Sequence, residues 1–139
     1  MPDRTPTEAG TVASLWRYPV KSMMGEELKV TRVSDRGILG DRLYALVDSS
    51  DGKVATAKNP RKWPTLFAFA ASFIEQSQSG RQPSPVRIRL PDGTEVTGDQ
   101  SDLHEVLSKA TDRNVTLVAV ERGGGASASV PAFTTVTAE

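Results

Sequence analysis

Three residues in the first third of the chain have the types and spacing to hold an anion. Lys21 and Ser22 lie in "LWRYPVKSMMGEEL" (residues 15–28), and Arg42 lies in "GDRLYALVD". Pro19 has no N–H to give a ladder, so a strand ends there and leaves Lys21 and Ser22 where backbone amides are no longer all committed. An ammonium, a hydroxyl and free amides together suit a phosphate oxygen, and the Arg42 guanidinium, just after a Gly-Asp turn, can grip one with two parallel hydrogen bonds. The same residues also read as a solvated turn, with Arg42 paired to Asp41 or Asp35. Residues 17–62 hold 10 Lys/Arg against 6 Asp/Glu, a local charge of +4 in a chain whose total is zero. An anion would be drawn to this half.

Other chemistry finds less support. The chain has no cysteine and one histidine, which leaves no thiolate nucleophile, disulfide or zinc cluster. His104 follows an apolar helix position and reads as a surface side chain. Glu26 and Glu27 would point to opposite faces of a strand, which is unsuited to paired acid–base work. Gly123–Gly125 lack the Lys-Ser/Thr of a phosphate loop, and a flexible linker is the better reading. No nucleophile-elbow pattern is present.

The elements that must position Lys21, Ser22 and Arg42 are mostly short strands. Residues 11–18 form a first strand, 27–34 a second, and "DRGILGD" a turn before a third in "RLYALVD". "SSDGK" reads as a hairpin turn with "VATAK" as its returning strand. Residues 65–74 read as a buried strand, with a short helix as the alternative that their alanine content leaves open. Val86, Ile88 and Leu90 alternate with Arg87 and Arg89, then "PDG" turns into "TEVTG". One helix falls at about 102–111: Leu103, Val106, Leu107 and Ala110 share a stripe, and Asp102 with Glu105 fits a capping box. "NVTLVAV" is a final strand. The sum is a mainly β domain, an antiparallel β-barrel or strongly curved sheet with one short helix.

At 139 residues, one domain is expected. Residues 1–10 read as a flexible N-terminus, 11–121 as the folded body, and 122–139 as a linker followed by a strand-forming arm, "PAFTTVTAE". Balanced charge gives no argument for nucleic acid. "MPDRTPTEAG" lacks the apolar run of a signal peptide, and no segment approaches the roughly 20 apolar residues that cross a bilayer. The expectation is a cytoplasmic protein without membrane or nucleic-acid partners.

"YPVKS", "GDRLYALVD" and the "TAK…P…L" of residues 56–66, in that order and spacing, resemble the N-terminal β-barrel domain of MOSC proteins, the family named for molybdenum cofactor sulfurase C-terminal regions. The resemblance covers residues 11–121. It implies an accessory domain that helps to hold molybdopterin, with Lys21, Ser22 and Arg42 on the terminal phosphate and Thr56 and Lys58 as neighbours of the ligand. In relatives the metal is ligated by a cysteine of a second, MOSC domain; here there is no cysteine, and "PAFTTVTAE" is similar to the entry to that domain. Where animal relatives often have cysteine after the serine, this chain has Met23. The resemblance therefore implies a non-catalytic phosphate-binding part that works with a MOSC domain in the same or another chain. The competing expectation is a stand-alone β-barrel that mediates protein contacts.

Overall fold

A computed structural model describes residues 10–35, 37–74, 85–120 and 134–138. Along the chain come β1 (Leu15–Arg17), β2 (Glu26–Leu28), β3 (Val30–Ser34), β4 (Gly37–Ile38), β5 (Tyr44–Asp48) and a 3₁₀ turn at Leu66–Ala68. Then follow β6 (Ala70–Phe73), β7 (Val86–Arg89), β8 (Glu95–Thr97), α1 (Leu103–Thr111), β9 (Val115–Ala119) and β10 (Thr134–Thr137). The mainly β class with one helix is as expected. Closure is not: among the described residues the strands form four small ladders, β1-β2, β10-β3-β4, β5-β9 and β6-β7-β8, and none closes into a barrel. Strands of two to five residues are too short to run from one ladder into the next. Isolated bridges, Val20 to Tyr44 and Met24 to Ala70, join them instead.

Local patterns explain most elements. In β7, Val86 and Ile88 are buried, as is Leu90 beyond it, while Arg87 and Arg89 are exposed, and β8 pairs antiparallel across the expected turn. α1 buries Leu103 and Leu107 and half-buries Val106 and Ala110. Its start departs from a capping box: Asp102 makes no side-chain cap bond and instead accepts from Gln100 Nε2. Its end closes with Asp112 in the left-handed region (φ 55°) and Arg113 N–H donating to the Ser108 carbonyl, the pattern glycine usually supplies.

Five expected elements differ. The 11–18 strand is confined to Leu15–Arg17, and "DRGILGD", expected as a turn, contains β4 paired with β3. The 27–34 strand breaks at Lys29, so that β2 serves β1 while β3 serves β4 and β10. "VATAK" begins the expected hairpin, with Asp48 N–H donating to the Lys53 carbonyl and Ala55 N–H to that of Leu46, but only one bridge forms, Val47 to Val54. The 65–74 segment opens as a 3₁₀ turn and becomes a strand only at Ala70. The expected loose stretches at 1–10 and 122–130 lie outside the described residues apart from Gly10, whereas part of the C-terminal arm is β10, antiparallel to β3.

The core joins Val20 and Met23 to Leu46, Trp63, Leu66, Phe69, Ile88, Leu107 and Val115. Full burial of a side chain such as Phe69 is worth about 1.5–3 kcal/mol relative to leaving it exposed. The segment that carries Lys21 and Ser22 is therefore nailed into the core on both sides, by Val20 and Met23, while Lys21 itself is exposed. No helix among the described residues is long and apolar enough to cross a membrane.

Candidate functional site

The edge of β5 opposite β9 organises the site. Tyr44 donates its N–H to the Pro19 carbonyl and accepts from Lys21 N–H, both at 2.9 Å, while farther along the same strand Leu46 accepts from Ala55 N–H at 2.8 Å. Residues 19–21 and 53–55 thus share this strand, one after the other. Where they part, Ser22 Oγ accepts from Ala57 N–H at 3.0 Å and spans the gap.

Around that junction opens a cleft of about 610 Å³ lined by Lys21, Ser22, Arg42, Thr56 and Lys58. All five sequence-expected residues are brought together. Sequence reasoning missed Tyr18, Met24, Ala57, Phe67 and Val120, which complete the lining with Met23. Among these residues are three cations and no carboxylate. Neither Lys21 nor Lys58 forms an ion pair among the described residues.

Arg42 is held rather than free. Its Nη1 pairs with Asp41 Oδ2, its guanidinium carbon lies 4.7 Å from the centre of the Tyr18 ring, and its backbone N–H donates to the Tyr18 carbonyl at 2.6 Å. Asp41 Oδ1 in turn accepts from Tyr18 N–H at 2.8 Å. The expected Arg42–Asp41 pair is therefore present. It occupies one edge of a fork with five N–H donors, and the Arg42 side chain remains 49% exposed.

Ser22 (φ 68°) and Arg42 (φ 49°) both adopt left-handed backbone conformations, which are uncommon for residues other than glycine. Gly25 completes the support. A Cβ there would collide with the Arg17 carbonyl oxygen and lie 2.8 Å from Tyr18 Cδ1, so only glycine lets the chain pass beneath the ring that carries Arg42.

Two other polar clusters serve structure. Arg17, buried, binds Glu26 Oε2 through Nη2 at 3.0 Å and Nε at 3.1 Å, and stacks over Phe73 at 4.7 Å. The same carboxylate oxygen accepts from Phe73 N–H, which fastens the β1–β2 hairpin to β6. Asp48 accepts from both the hydroxyl and the amide of Ser50 and pairs with Lys62 and Arg113. Its carboxyl is held down to about 2, first by the Ser50 hydroxyl, then by the Ser50 amide and Lys62, against the upward push of burial. His104 is exposed, with Thr116 Oγ1 3.2 Å from Nδ1.

The family model described as the MOSC N-terminal beta barrel domain matches residues 9–130. The chain belongs to this family. Among curated relatives of this MOSC N-terminal domain, mitochondrial amidoxime reducing component 2 of Rattus norvegicus is 28% identical over 94 residues, which cover 64% of this chain and 28% of the rat protein. The match thus takes in little more than a quarter of that relative. The "YPVKS" and "GDR" segments, which supply Tyr18, Lys21, Ser22 and Arg42 to the cleft, fall inside the family match.

Proposed function

We propose that this MOSC N-terminal domain anchors the terminal phosphate of molybdopterin and leaves the chemistry of the cofactor to a MOSC domain in the same or another chain. The observation that carries the reading is the convergence of Lys21, Arg42 and Lys58 on one cleft without a lining carboxylate. The donor set fits a phosphate: two ammonium groups, the open edge of a guanidinium, and the Ser22 hydroxyl, whose proton is not spent on the bond it accepts from Ala57. Molybdopterin would supply the redox or sulfur-transfer chemistry when bound; this chain's residues bind and orient it.

Lys21 and Arg42 are the principal anchors, Ser22 both contacts the anion and holds residues 56–58 beside it, and Thr56 and Lys58 are further neighbours of the ligand. Charge-assisted bonds contribute about 1.5–3 kcal/mol each, and the ordering of long side chains offsets part of that. The isolated chain therefore binds phosphate weakly. The compartment proposed is the cytoplasm, on the grounds of composition.

The test is to follow backbone amide signals while inorganic phosphate, then a phosphorylated pterin, is added. Shifts concentrated at Lys21, Ser22, Arg42, Ala57 and Lys58 are expected. A flat response to both ligands at millimolar concentration would overturn the reading and favour the protein-contact alternative.

A further inference from the structure

The cleft also has apolar lining that phosphate alone does not use. Phe67 is 65% exposed and Met24 is 46% exposed, and both line the same cleft as Lys21 and Arg42. The exposure of Phe67 is imposed by its neighbours. Leu66 and Phe69 are 2% and 0% exposed, and the 3₁₀ turn between them is closed by Ala68 N–H to the Thr65 carbonyl and Phe69 N–H to that of Leu66. With both flanking side chains anchored in the core, the ring of Phe67 is presented outward on a rigid turn. Met24 N–H bonds the Phe69 carbonyl at 2.9 Å, which fixes the two apolar side chains to the same piece of backbone.

An aromatic ring fixed in this way costs the fold the burial it forgoes, while offering a π-face at little ordering cost to a ligand. We propose that Phe67, with Met24 beside it, is a specificity-determining residue that seats a planar heteroaromatic group attached to the anchored phosphate. The cleft then selects aromatic phosphomonoesters over inorganic phosphate and sugar phosphates. This rests on the anion reading of Lys21 and Arg42 and adds to it a second, independent contact. A cleft of about 610 Å³ holds far more than a phosphate group, and its lining offers both cations and exposed apolar side chains.

The experiment compares guanosine 5′-monophosphate with ribose 5-phosphate by calorimetry on the whole chain. The two share sugar and phosphate and differ only by the base. Stacking of a base on an aromatic side chain is worth on the order of a tenfold gain or more, so the nucleotide should bind roughly tenfold tighter. Phe67→Ala should abolish that preference and leave ribose 5-phosphate binding unchanged, while Phe67→Tyr, which keeps the ring, should retain it. Equal affinities for the two ligands in the native chain, or an unchanged preference in Phe67→Ala, would overturn the assignment of Phe67 but not the anion site. Failure of both ligands to bind at millimolar concentration would overturn both. Equal loss of both ligands in Phe67→Ala with a lowered melting temperature would show that Phe67 is structural.

Discussion

In the proposed anion site, Arg42 is positioned by two groups that hold its side chain, Asp41 and Tyr18. Asp41 sits beside the guanidinium and by simple charge counting should weaken any anion site. It also fixes the fork over Tyr18 while holding the Tyr18 amide. The two roles make opposite predictions for Asp41→Ala. If positioning prevails, binding of a phosphomonoester weakens two- to tenfold, the cost of re-ordering one long side chain being about 0.5–1.5 kcal/mol. Tighter binding in the variant would show that Asp41 acts only as a repelling charge. The motif order that points to Lys21, Ser22 and Arg42 was legible in the sequence because each lies at a Pro- or Gly-marked strand end. Phe67 was not, because a strand through 65–74 places it on the same face as Phe69, and the 3₁₀ turn breaks that period of two.

At the scale of elements, the site depends on how closely the β1–β2 hairpin approaches itself. Gly25 lies under Tyr18 and against the Arg17 carbonyl, so Gly25→Ala must push one of them aside. Overpacking of this kind costs about 1–3 kcal/mol. A denaturation midpoint lowered accordingly is expected, together with weaker phosphomonoester binding as Tyr18 and Arg42 shift. A variant with native stability and affinity would show that the hairpin has slack there. The β7–β8 hairpin and α1 were readable because their signals are local: alternation across one turn, or one apolar stripe. The partnership of β5 with β9 was not, since Tyr44 meets Ala119 across most of the chain and no local pattern specifies it. On the opposite edge of β5, residues 19–21 take the place beside Tyr44, which leaves "VATAK" a single bridge and frees Thr56 and Lys58 to line the cleft.

For the molecule as a whole, charge is arranged in two ways. The cleft cations stand without carboxylate partners in its lining, whereas Asp48, Asp51, Lys62 and Arg113 form a knit cluster that ties the 48–63 loop to the turn after α1. The Asp48 carboxyl titrates at about 2 in the folded chain, below its ordinary value of 3.8. Its stabilising contribution is therefore complete above roughly pH 4 and is lost as pH falls through the folded value. The hydrogen bond from Lys62 holds Asp51 down in the same direction. Melting temperature should fall between pH 4 and pH 2, and Asp48→Asn should flatten that slope while lowering stability near neutrality. An unchanged slope in the variant would place the acid sensitivity elsewhere. Ser22 and Arg42 carry left-handed backbone angles on a frame held by the buried core, so the cleft bears local strain that the packing around it supports.

The central claim, that the cleft grips a phosphate through its cations, is tested most directly by calorimetric titration of a phosphorylated pterin into the native chain and into Lys21→Gln and Arg42→Gln. Each substitution removes one charge and should weaken binding roughly tenfold to a hundredfold with little change in melting temperature. Affinities that match the native chain in both variants would contradict it.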